Sequence, residues 1–392
     1  MKSAWFRESS DNENEYCLLV RVNIVLYSCP KLTNGVIFCM DMPKMSSLRK
    51  SSLFVFLLLI TLITLIVGVI EYFKSPSDMV WIPGGEFIMG SSSSLANRNE
   101  QPPHKVRVNG FWMDKTDVTN AQFESFVKAT GYVTTAEKKT DWDTIKVQVL
   151  PRTPKPSDDA LIPGAMVFVG TKEPVSVNDP SLWWRFVPGA NWRHPTGPQS
   201  NIIGKEDYPV VQVSYEDALA YAQWVGKRLP TEAEWEFAAR GGLEQKDYVF
   251  GGEFQSGGKK MAKIYPGNFP VVEPQYKSLI HPSKVGSDPP NGYGLYDMAG
   301  NVWQWVADWY RADAFVLQAK RPVSANPQGP EDSFDPSHAN EPANAPKRVI
   351  RGGSFLCDPN FCMSYRPSAR RGVAPYNPMA HIGFRLVKSQ HQ

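Results

Sequence analysis

The order of hydrophobic and polar residues predicts short strands separated by turns. Residues 80–90 contain two apolar runs on either side of Gly84 and Gly85, so we predict a strand, a glycine turn and a second strand. Residues 106–114 alternate between apolar and polar positions, which predicts a further single strand. The same kind of pattern returns near the carboxyl end, where strands are predicted within residues 349–387.

Three segments have the periodicity of helices and begin at residues that favour helix starts. A serine or threonine oxygen at this position accepts an N–H group of the first turn, which is otherwise left without a partner. The predicted helices span residues 117–130, 215–225 and 230–240, with Thr119 or Asn120, Ser214 and Thr231 as their caps.

Two long segments have neither periodicity and are rich in proline. Residues 140–180 are predicted to form an ordered loop with short strands, and residues 317–347 a long surface loop. With 29 glycines and 33 prolines in 392 residues, the chain favours turns over a helical bundle. The fold class predicted from these patterns is α+β, in one domain that spans residues 76–390.

An apolar stretch at residues 53–70 predicts a signal anchor or a long signal peptide. Arg49 and Lys50 precede it, and positive residues on this side orient the following chain outward. We therefore expect an exported protein, membrane-anchored or in a periplasmic or secretory compartment, with the membrane as a partner of the anchor. Residues 1–52 form a separate amino-terminal segment, and Met45 offers an alternative start.

Composition and charge narrow the classes of partner. Hydrophobic residues make up 42% of the chain and charged residues 21%, the balance of a globular protein with a substantial core. The net charge of +3 is small, and no basic block or zinc-finger spacing is present. Nucleic acid is therefore not an expected partner.

Two cysteines near the carboxyl end carry the strongest chemical signal. Cys357 and Cys362 lie five positions apart on either side of Asp358-Pro359-Asn360, whose residue types favour a tight turn. Such a turn can bring the two sulfurs together. The pair can then be a disulfide, a redox couple or a two-coordinate site for a soft metal such as Cu(I).

The cysteines belong to a set of sequence blocks that resembles the formylglycine-generating enzyme family, also called sulfatase-modifying factors. The resemblance covers residues 79–387 and implies a single C-type-lectin-like domain with little regular secondary structure. The blocks are IPGG at 82–85, MG at 89–90, NWRHP at 191–195, GKRLPTEAEWE at 226–236, NGYGLYDMAGNVW at 291–303, RGGS at 351–354 and GFR at 383–385.

The resemblance also implies an activity and a catalytic site. Members of the family use copper and O2 to convert a cysteine in a Cys-x-Pro-x-Arg motif of unfolded sulfatases to Cα-formylglycine. On this basis Cys357 and Cys362 hold Cu(I), Ser354 lies near the oxygen site and Trp303 lines the pocket. Asp358 departs from the family pattern, in which a histidine is usual. Unfolded sulfatase polypeptides are the implied partners.

Calcium is a second metal that the resemblance implies, at two positions. Replacement of oxygen-bearing side chains by Lys263 and Lys277 argues against Ca²⁺ at one of them, where an ammonium group is the alternative occupant. We expect one Ca²⁺ at most, at the other position. Its implied ligands are Asp297, Gly300, Val302 and Gln304, and the lysine-bearing position also includes Ile264 and Leu279.

A different class of function stays open beside the oxidase. The alternative is a non-catalytic lectin-like binding module, because some relatives of this fold have lost the cysteines and bind partners instead. The retention of Cys357, Cys362 and Ser354 argues against that alternative. For Arg193 and His194, in the NWRHP block, we expect a role in loop structure, because no general-base arrangement surrounds His194.

Overall fold

A computed structural model describes residues 4–6, 17–19, 78–256, 259–337 and 339–389. The chain divides into two units, 1–74 and 75–392. In the first, strands β1 (Ala4–Phe6) and β2 (Cys17–Leu19) pair antiparallel. The predicted anchor at residues 53–70 and the alternative start at Met45 lie outside the described residues. Among the helices in the described part of the chain, none is long and apolar enough to cross a membrane.

The second unit is a mixed fold of short strands and short helices, as the sequence predicts. Its described helices are α1 (Asn120–Thr130), α2 (Trp142–Ile145), α3 (Tyr215–Trp224), α4 (Glu232–Arg240) and α5 (Ala314–Gln318). Its described strands are β3 (Met79–Ile82), β4 (Gly85–Met89), β5 (His104–Val108), β6 (Phe111–Asp114), β7 (Gly164–Phe168), β8 (Trp184–Pro188), β9 (Gln255–Ser256), β10 (Lys259–Lys260), β11 (Trp303–Trp309), β12 (Ser324–Ala325), β13 (Arg348–Arg351), β14 (Arg370–Val373), β15 (Ile382–Gly383) and β16 (Val387–Ser389).

These strands form several small sheets. The largest has the order β14-β13-β11-β15, in which β13 pairs antiparallel with β11 and β14 while β15 pairs parallel with β11. Two three-stranded sheets have the orders β12-β5-β4 and β16-β6-β3. The antiparallel pairs β7-β8 and β9-β10 complete the unit as described. Helix α4 packs against β4, β11 and β13, so it joins two of the sheets around the main core.

The helix caps agree with the sequence prediction. Thr119, Ser214 and Thr231 each accept a hydrogen bond from the backbone N–H three residues later. The first and third of these helices, α1 and α4, end at Gly131 and Gly241, which take the left-handed conformation. Capping depends on neighbouring residues alone, which explains why sequence reasoning locates these helices well.

The single strand predicted at residues 106–114 is wrong. The chain forms β5 and β6 there, in two different sheets: Val108 pairs with Gly85 of β4, and Phe111 pairs with Ile82 of β3. The turn between them lies against Gly84, where a Cβ atom would approach the backbone of residues 109 and 110 to 2.6 Å. The turn at Gly84 and the turn at residues 109 and 110 pack closely against each other. The chain therefore bends between β5 and β6, although the alternating sequence pattern continues through both.

The surface loop predicted at residues 317–347 is only partly correct. The segment contains the end of α5 and strand β12, which pairs with β5. Several of its polar side chains are buried, and Lys347 Nζ lies 2.8 Å from Asp335 Oδ2. This interior ion pair explains why a polar, proline-rich sequence packs against the domain here.

Candidate active site

The cysteine pair closes a short loop that follows strand β13. The sulfurs of Cys357 and Cys362 are in direct contact, paired as in a disulfide, and their Cα atoms are 4.8 Å apart. Both residues are buried, with 1% and 5% of their surface exposed. Asp358 makes the turn: its carbonyl oxygen accepts the Cys362 N–H at 2.8 Å, and its carboxylate accepts the Asn360 N–H at 2.8 Å. The spacing thus brings the sulfurs together, as the sequence suggests.

Backbone hydrogen bonds fix this loop to the rest of the domain. The carbonyl oxygen of Cys357 accepts from the Tyr265 N–H at 2.9 Å, and that of Ser354 accepts from the Cys357 N–H at 2.9 Å. Gly353 has a φ of 72°, and a Cβ atom there would lie 2.8 Å from the Tyr365 nitrogen. Only glycine suits this position, because any side chain would clash with the backbone of Tyr365 in this left-handed conformation.

Ser354 is fully buried between the glycine pair and the first cysteine. Its hydroxyl oxygen accepts the Leu356 N–H at 3.2 Å. A hydroxyl can accept and donate at once, so this contact orients the oxygen without using its proton. The arrangement leaves a polar group of fixed direction three residues before Cys357.

Aromatic rings surround the cysteine loop. Phe361, next to Cys362 in the chain, stacks on Phe269 with 4.4 Å between ring centroids and meets the edge of Trp183. Trp303, the first residue of β11, is buried. The guanidinium carbon of Arg371 lies 5.8 Å from the ring centroids of both Trp303 and Phe361. Arg371 therefore lies between Trp303 and the cysteine loop and places the Trp303 ring near that loop.

A buried ion network holds the strand that leads into the loop. Arg351, the last residue of β13, donates to Glu232 Oε1 at 2.9 Å and to Glu236 Oε2 at 2.6 Å. Arg370 reaches both oxygens of Glu232, at 2.6 and 2.7 Å. Burial raises the pKa of Glu232, but the charges of Arg370 and Arg351 lower it by more than burial raises it. The net pKa therefore lies below its ordinary value, and the carboxyl group is ionised. Helix α4 thereby fixes the approach to Ser354.

Arg193 and His194 contribute to loop structure, as expected from the sequence. The Arg193 guanidinium stacks over the Trp192 ring at 4.1 Å and pairs with Glu137 at 2.8 Å. A ring nitrogen of His194 is 2.6 Å from the Ser200 carbonyl oxygen. The Asn191 side chain accepts the N–H groups of both residues. These contacts hold Arg193 and His194 within the loop.

Comparison with known proteins agrees with this arrangement. A family model described as "Sulfatase-modifying factor enzyme 1-like domain" matches residues 69–390. The chain belongs to this family. A protein named formylglycine-generating enzyme from Thermomonospora curvata is 42% identical over 321 residues, which are 80% of this chain and 95% of the relative. One of the same name from Mycobacterium tuberculosis is 42% identical over 317 residues, 79% of this chain and 97% of that protein.

The sulfatase-modifying factor family also includes proteins with other properties. A mouse relative, named inactive C-alpha-formylglycine-generating enzyme 2, is 34% identical over 315 residues, 79% of this chain and 85% of its own length. The solved structure of PvdO from Pseudomonas aeruginosa shares the fold, with a TM-score of 0.52 and 24% identity over 81% of this chain and 97% of that one. Membership alone therefore leaves the activity to be argued from the site.

The cysteine pair fits the copper that the family implies. A two-electron reductant such as a thiol would convert the pair to two thiolates, and thiolates are soft ligands that select Cu(I). Cys357 and Cys362 are the residues that would hold it. In the described part of the chain, no group of three or more histidine, cysteine or acidic side chains offers an alternative metal site.

The first calcium position does not fit Ca²⁺ as folded here. Gln304 Oε1 accepts from Trp235 Nε1 at 2.7 Å and from Arg385 Nε at 2.8 Å. Both partners can only donate, so the orientation of the amide is fixed. Gln304 Nε2 then donates to the Asp297 carbonyl oxygen at 2.8 Å, where a cation would have to bind. The Asp297 carboxylate accepts the Gly286 N–H instead.

The second calcium position contains an ammonium group, the alternative that the sequence suggested. Lys263 Nζ donates to the Leu279 carbonyl oxygen at 2.7 Å. The Lys263 carbonyl oxygen accepts the Asn301 N–H at 2.9 Å, and the Asn301 carbonyl oxygen accepts the Phe355 N–H at 2.9 Å. A partly exposed ammonium group therefore lies at this position, and backbone hydrogen bonds connect Lys263 to the segment that enters the cysteine loop.

Two residues near the cysteines were missed by sequence reasoning. Phe361 lies between the two cysteines, directly after the predicted turn of residues 358–360, and no role was predicted for it. Arg371 follows Arg370 on β14, and adjacent residues of a strand face opposite sides. The signal that could have found Arg371 is this pair of arginines, because only one of the two can enter the ion network.

Two described cavities lie away from the sulfurs. One of about 450 Å³ lies between β4 and the end of α4, lined by Phe87, Phe237 and Tyr293 among others. Another, of about 110 Å³, is lined by Phe168, His281 and Phe355 among others. Neither is lined by Cys357 or Cys362, so cavity size does not identify the candidate site here.

Proposed function

We propose that this protein is a copper-dependent oxidase that converts a cysteine in a Cys-x-Pro-x-Arg motif of unfolded sulfatases to Cα-formylglycine, using O2. The observation that carries the proposal is the contact between Cys357 and Cys362 beside a buried Ser354. Support comes from relatives named formylglycine-generating enzyme at 42% identity across the domain.

The proposed reaction reduces O2 by four electrons, and the substrate supplies only two of them. Conversion of the substrate thiol-bearing methylene group to an aldehyde breaks the C–S bond, forms C=O and releases two electrons. An external thiol or other two-electron reductant supplies the remaining two electrons and two protons. One oxygen atom enters the aldehyde, the other leaves as water, and the sulfur leaves as hydrogen sulfide.

The chain's own residues have separate tasks in this scheme. Cys357 and Cys362 hold Cu(I), which when bound supplies a thiophilic centre for the substrate cysteine and a partner for O2. Ser354 offers a fixed hydroxyl that donates a hydrogen bond to a reduced oxygen species. The buried Trp303 ring excludes water from the reacting carbon. Asp358 stabilises the turn through its bond to the Asn360 N–H.

The compartment and the state of the substrate belong to the same proposal. An exported enzyme, anchored by residues 53–70 or released into a periplasmic or secretory space, would meet sulfatases before they fold. An extended peptide is needed because the motif must bring its cysteine to sulfurs that are almost fully buried.

The test is conversion of a synthetic peptide with a Cys-x-Pro-x-Arg core. We expect the full chain, loaded with Cu(I) and supplied with O2 and a thiol reductant, to replace the thiol mass by an aldehyde mass. Cys357→Ser and Cys362→Ser each remove a soft ligand and should abolish conversion. Cys17→Ser, in the amino-terminal unit, is the matched control and should leave the rate unchanged. Mass spectrometry measures each outcome.

A non-catalytic binding module is the second candidate. This alternative is supported by the mouse relative, which is 34% identical to this chain and is named as an inactive enzyme. An unchanged peptide, together with folded and copper-loaded protein, would sink the oxidase proposal and favour this alternative.

A further inference from the structure

Two adjacent arginines on strand β14 have contrasting surroundings. Arg370 is 2% exposed, and three of its guanidinium contacts go to carboxylate or carbonyl oxygens inside the domain. Arg371 faces the other side of the strand and is exposed. Alternation along a strand explains the opposite directions, but it does not explain why the second position carries a cation.

The guanidinium of Arg371 lies at the border of the cysteine loop. It is 5.8 Å from the ring centroid of Phe361, the neighbour of Cys362, and 5.8 Å from that of Trp303. Two aromatic rings restrict the positions of the side chain and attract its charge. The cation is thus held beside the candidate active site rather than free in solvent.

No acidic group in the described part of the chain forms an ion pair with Arg371. The side chains that interact with its charge are Tyr310 and His381, and neither supplies a carboxylate. Burial, together with the charge of Arg371, lowers the pKa of His381 to about 3, so this neighbour is neutral at physiological pH. Arg371 therefore places a positive charge beside the cysteine loop, and no ion pair with a carboxylate in the described part of the chain neutralises it.

We infer that Arg371 binds an acidic side chain of the client polypeptide, next to the cysteine that is converted. A planar guanidinium with unused donors suits a carboxylate, which it can bind through two parallel hydrogen bonds. The inference rests on the proposed oxidase function and adds a specificity to it. It makes this chain selective for sulfatase motifs with Asp or Glu in the residues that flank the core.

The test compares peptides that differ in one flanking residue. The set holds the Cys-x-Pro-x-Arg core constant and places Glu or Gln at each of the two positions before and after it. We expect the wild-type full chain to convert at least one Glu peptide about threefold to fivefold faster, in kcat/KM, than its Gln counterpart. The ratio isolates the acidic residue, because both peptides share the reacting core.

Three variants assign the preference to its residue. Arg371→Gln should bring the Glu-to-Gln ratio close to one, and Arg371→Lys should retain part of it because the charge remains. Arg107→Gln, which removes an exposed strand arginine on β5, is the matched control and should keep the full ratio.

Failure of this inference and failure of the oxidase proposal give different results. Conversion of all peptides with equal kcat/KM, a preference for the Gln peptides, or a Glu preference that survives in Arg371→Gln overturns the inference while the oxidase stands. Absence of conversion in every peptide overturns the oxidase proposal on which the inference rests.

Discussion

At the scale of single residues, Gln304 shows how this chain replaces a metal by its own donors. Its amide joins Trp235, Arg385 and the Asp297 carbonyl oxygen in one buried network. All three contacts are satisfied, so the segment between Asp297 and Gln304 has no need of a cation. At the other calcium position, the Lys263 ammonium donates to the Leu279 carbonyl oxygen in place of a metal ion.

We predict that Gln304→Glu creates a dependence on Ca²⁺ that the wild-type chain lacks. A carboxylate oxygen would face the Asp297 carbonyl oxygen with no proton between them, which costs about 1–3 kcal/mol for a buried pair. Millimolar Ca²⁺ should restore much of the lost free energy of unfolding, because oxygen ligands of this kind bind it. Thermal unfolding with Ca²⁺ and with a chelator measures both effects.

Gln212→Glu is the matched control for this prediction. Gln212 is also fully buried and donates to the Pro195 carbonyl oxygen at 2.7 Å, in a different part of the domain. Its substitution should lower the melting temperature without a response to Ca²⁺. A wild-type protein that melts earlier in chelator would contradict the prediction for Gln304.

At the scale of elements, helix α4 depends on a carboxyl group from strand β11. Asp308 Oδ2 accepts the Glu232 N–H at 2.7 Å, at the first residue of the helix. Burial raises the pKa of Asp308 to about 7, and the nearby Glu232 carboxylate contributes to the rise. The proton on this group therefore depends on pH in the physiological range.

We predict that Asp308 makes the protein less stable as pH rises from about 4 to about 7. In this window the folded state keeps a proton that an ordinary aspartate, with a pKa near 4, has released in the unfolded chain. The unfolded state then binds fewer protons than the folded one, so the free energy of unfolding falls with pH. Asp308→Asn should lack this part of the slope.

Urea unfolding of the wild type and of Asp308→Asn at about pH 5 and about pH 8 measures the difference. The variant should gain stability relative to the wild type at the higher pH. Glu331→Gln removes an exposed carboxylate and should give parallel curves at both pH values. Parallel curves for Asp308→Asn as well would exclude the proposed linkage.

At the scale of the whole molecule, the features that depend on neighbouring residues could be predicted from the sequence, whereas those that depend on residues far apart in the chain could not. The caps at Thr119, Ser214 and Thr231 and the turn at Asp358 depend on neighbours, and the sequence located them. The division of residues 106–114 between two sheets depends on where Gly84 packs, which no local pattern contains. The ion network joins Glu232 to Arg351 and Arg370, which are 119 and 138 residues away.

The same network has a consequence for synthesis of the chain. Glu100 and Glu232 leave the ribosome long before the arginines that neutralise them, since Arg366 follows Glu100 by 266 residues and Arg351 follows Glu232 by 119. Strand β16 is made long after β6, with which it pairs. The interior therefore cannot close before β16 has been made.

We expect nascent chains that end before Arg348 to remain sensitive to protease, because their buried carboxylates would have no counter-charge. Resistance should appear in one step once the segment through Ser389 has emerged. Protease digestion of chains arrested at successive lengths follows this transition, and gradual protection from the amino end would contradict it. An enzyme proposed to act on unfolded polypeptides would thus itself be an unfolded polypeptide until β16 has emerged.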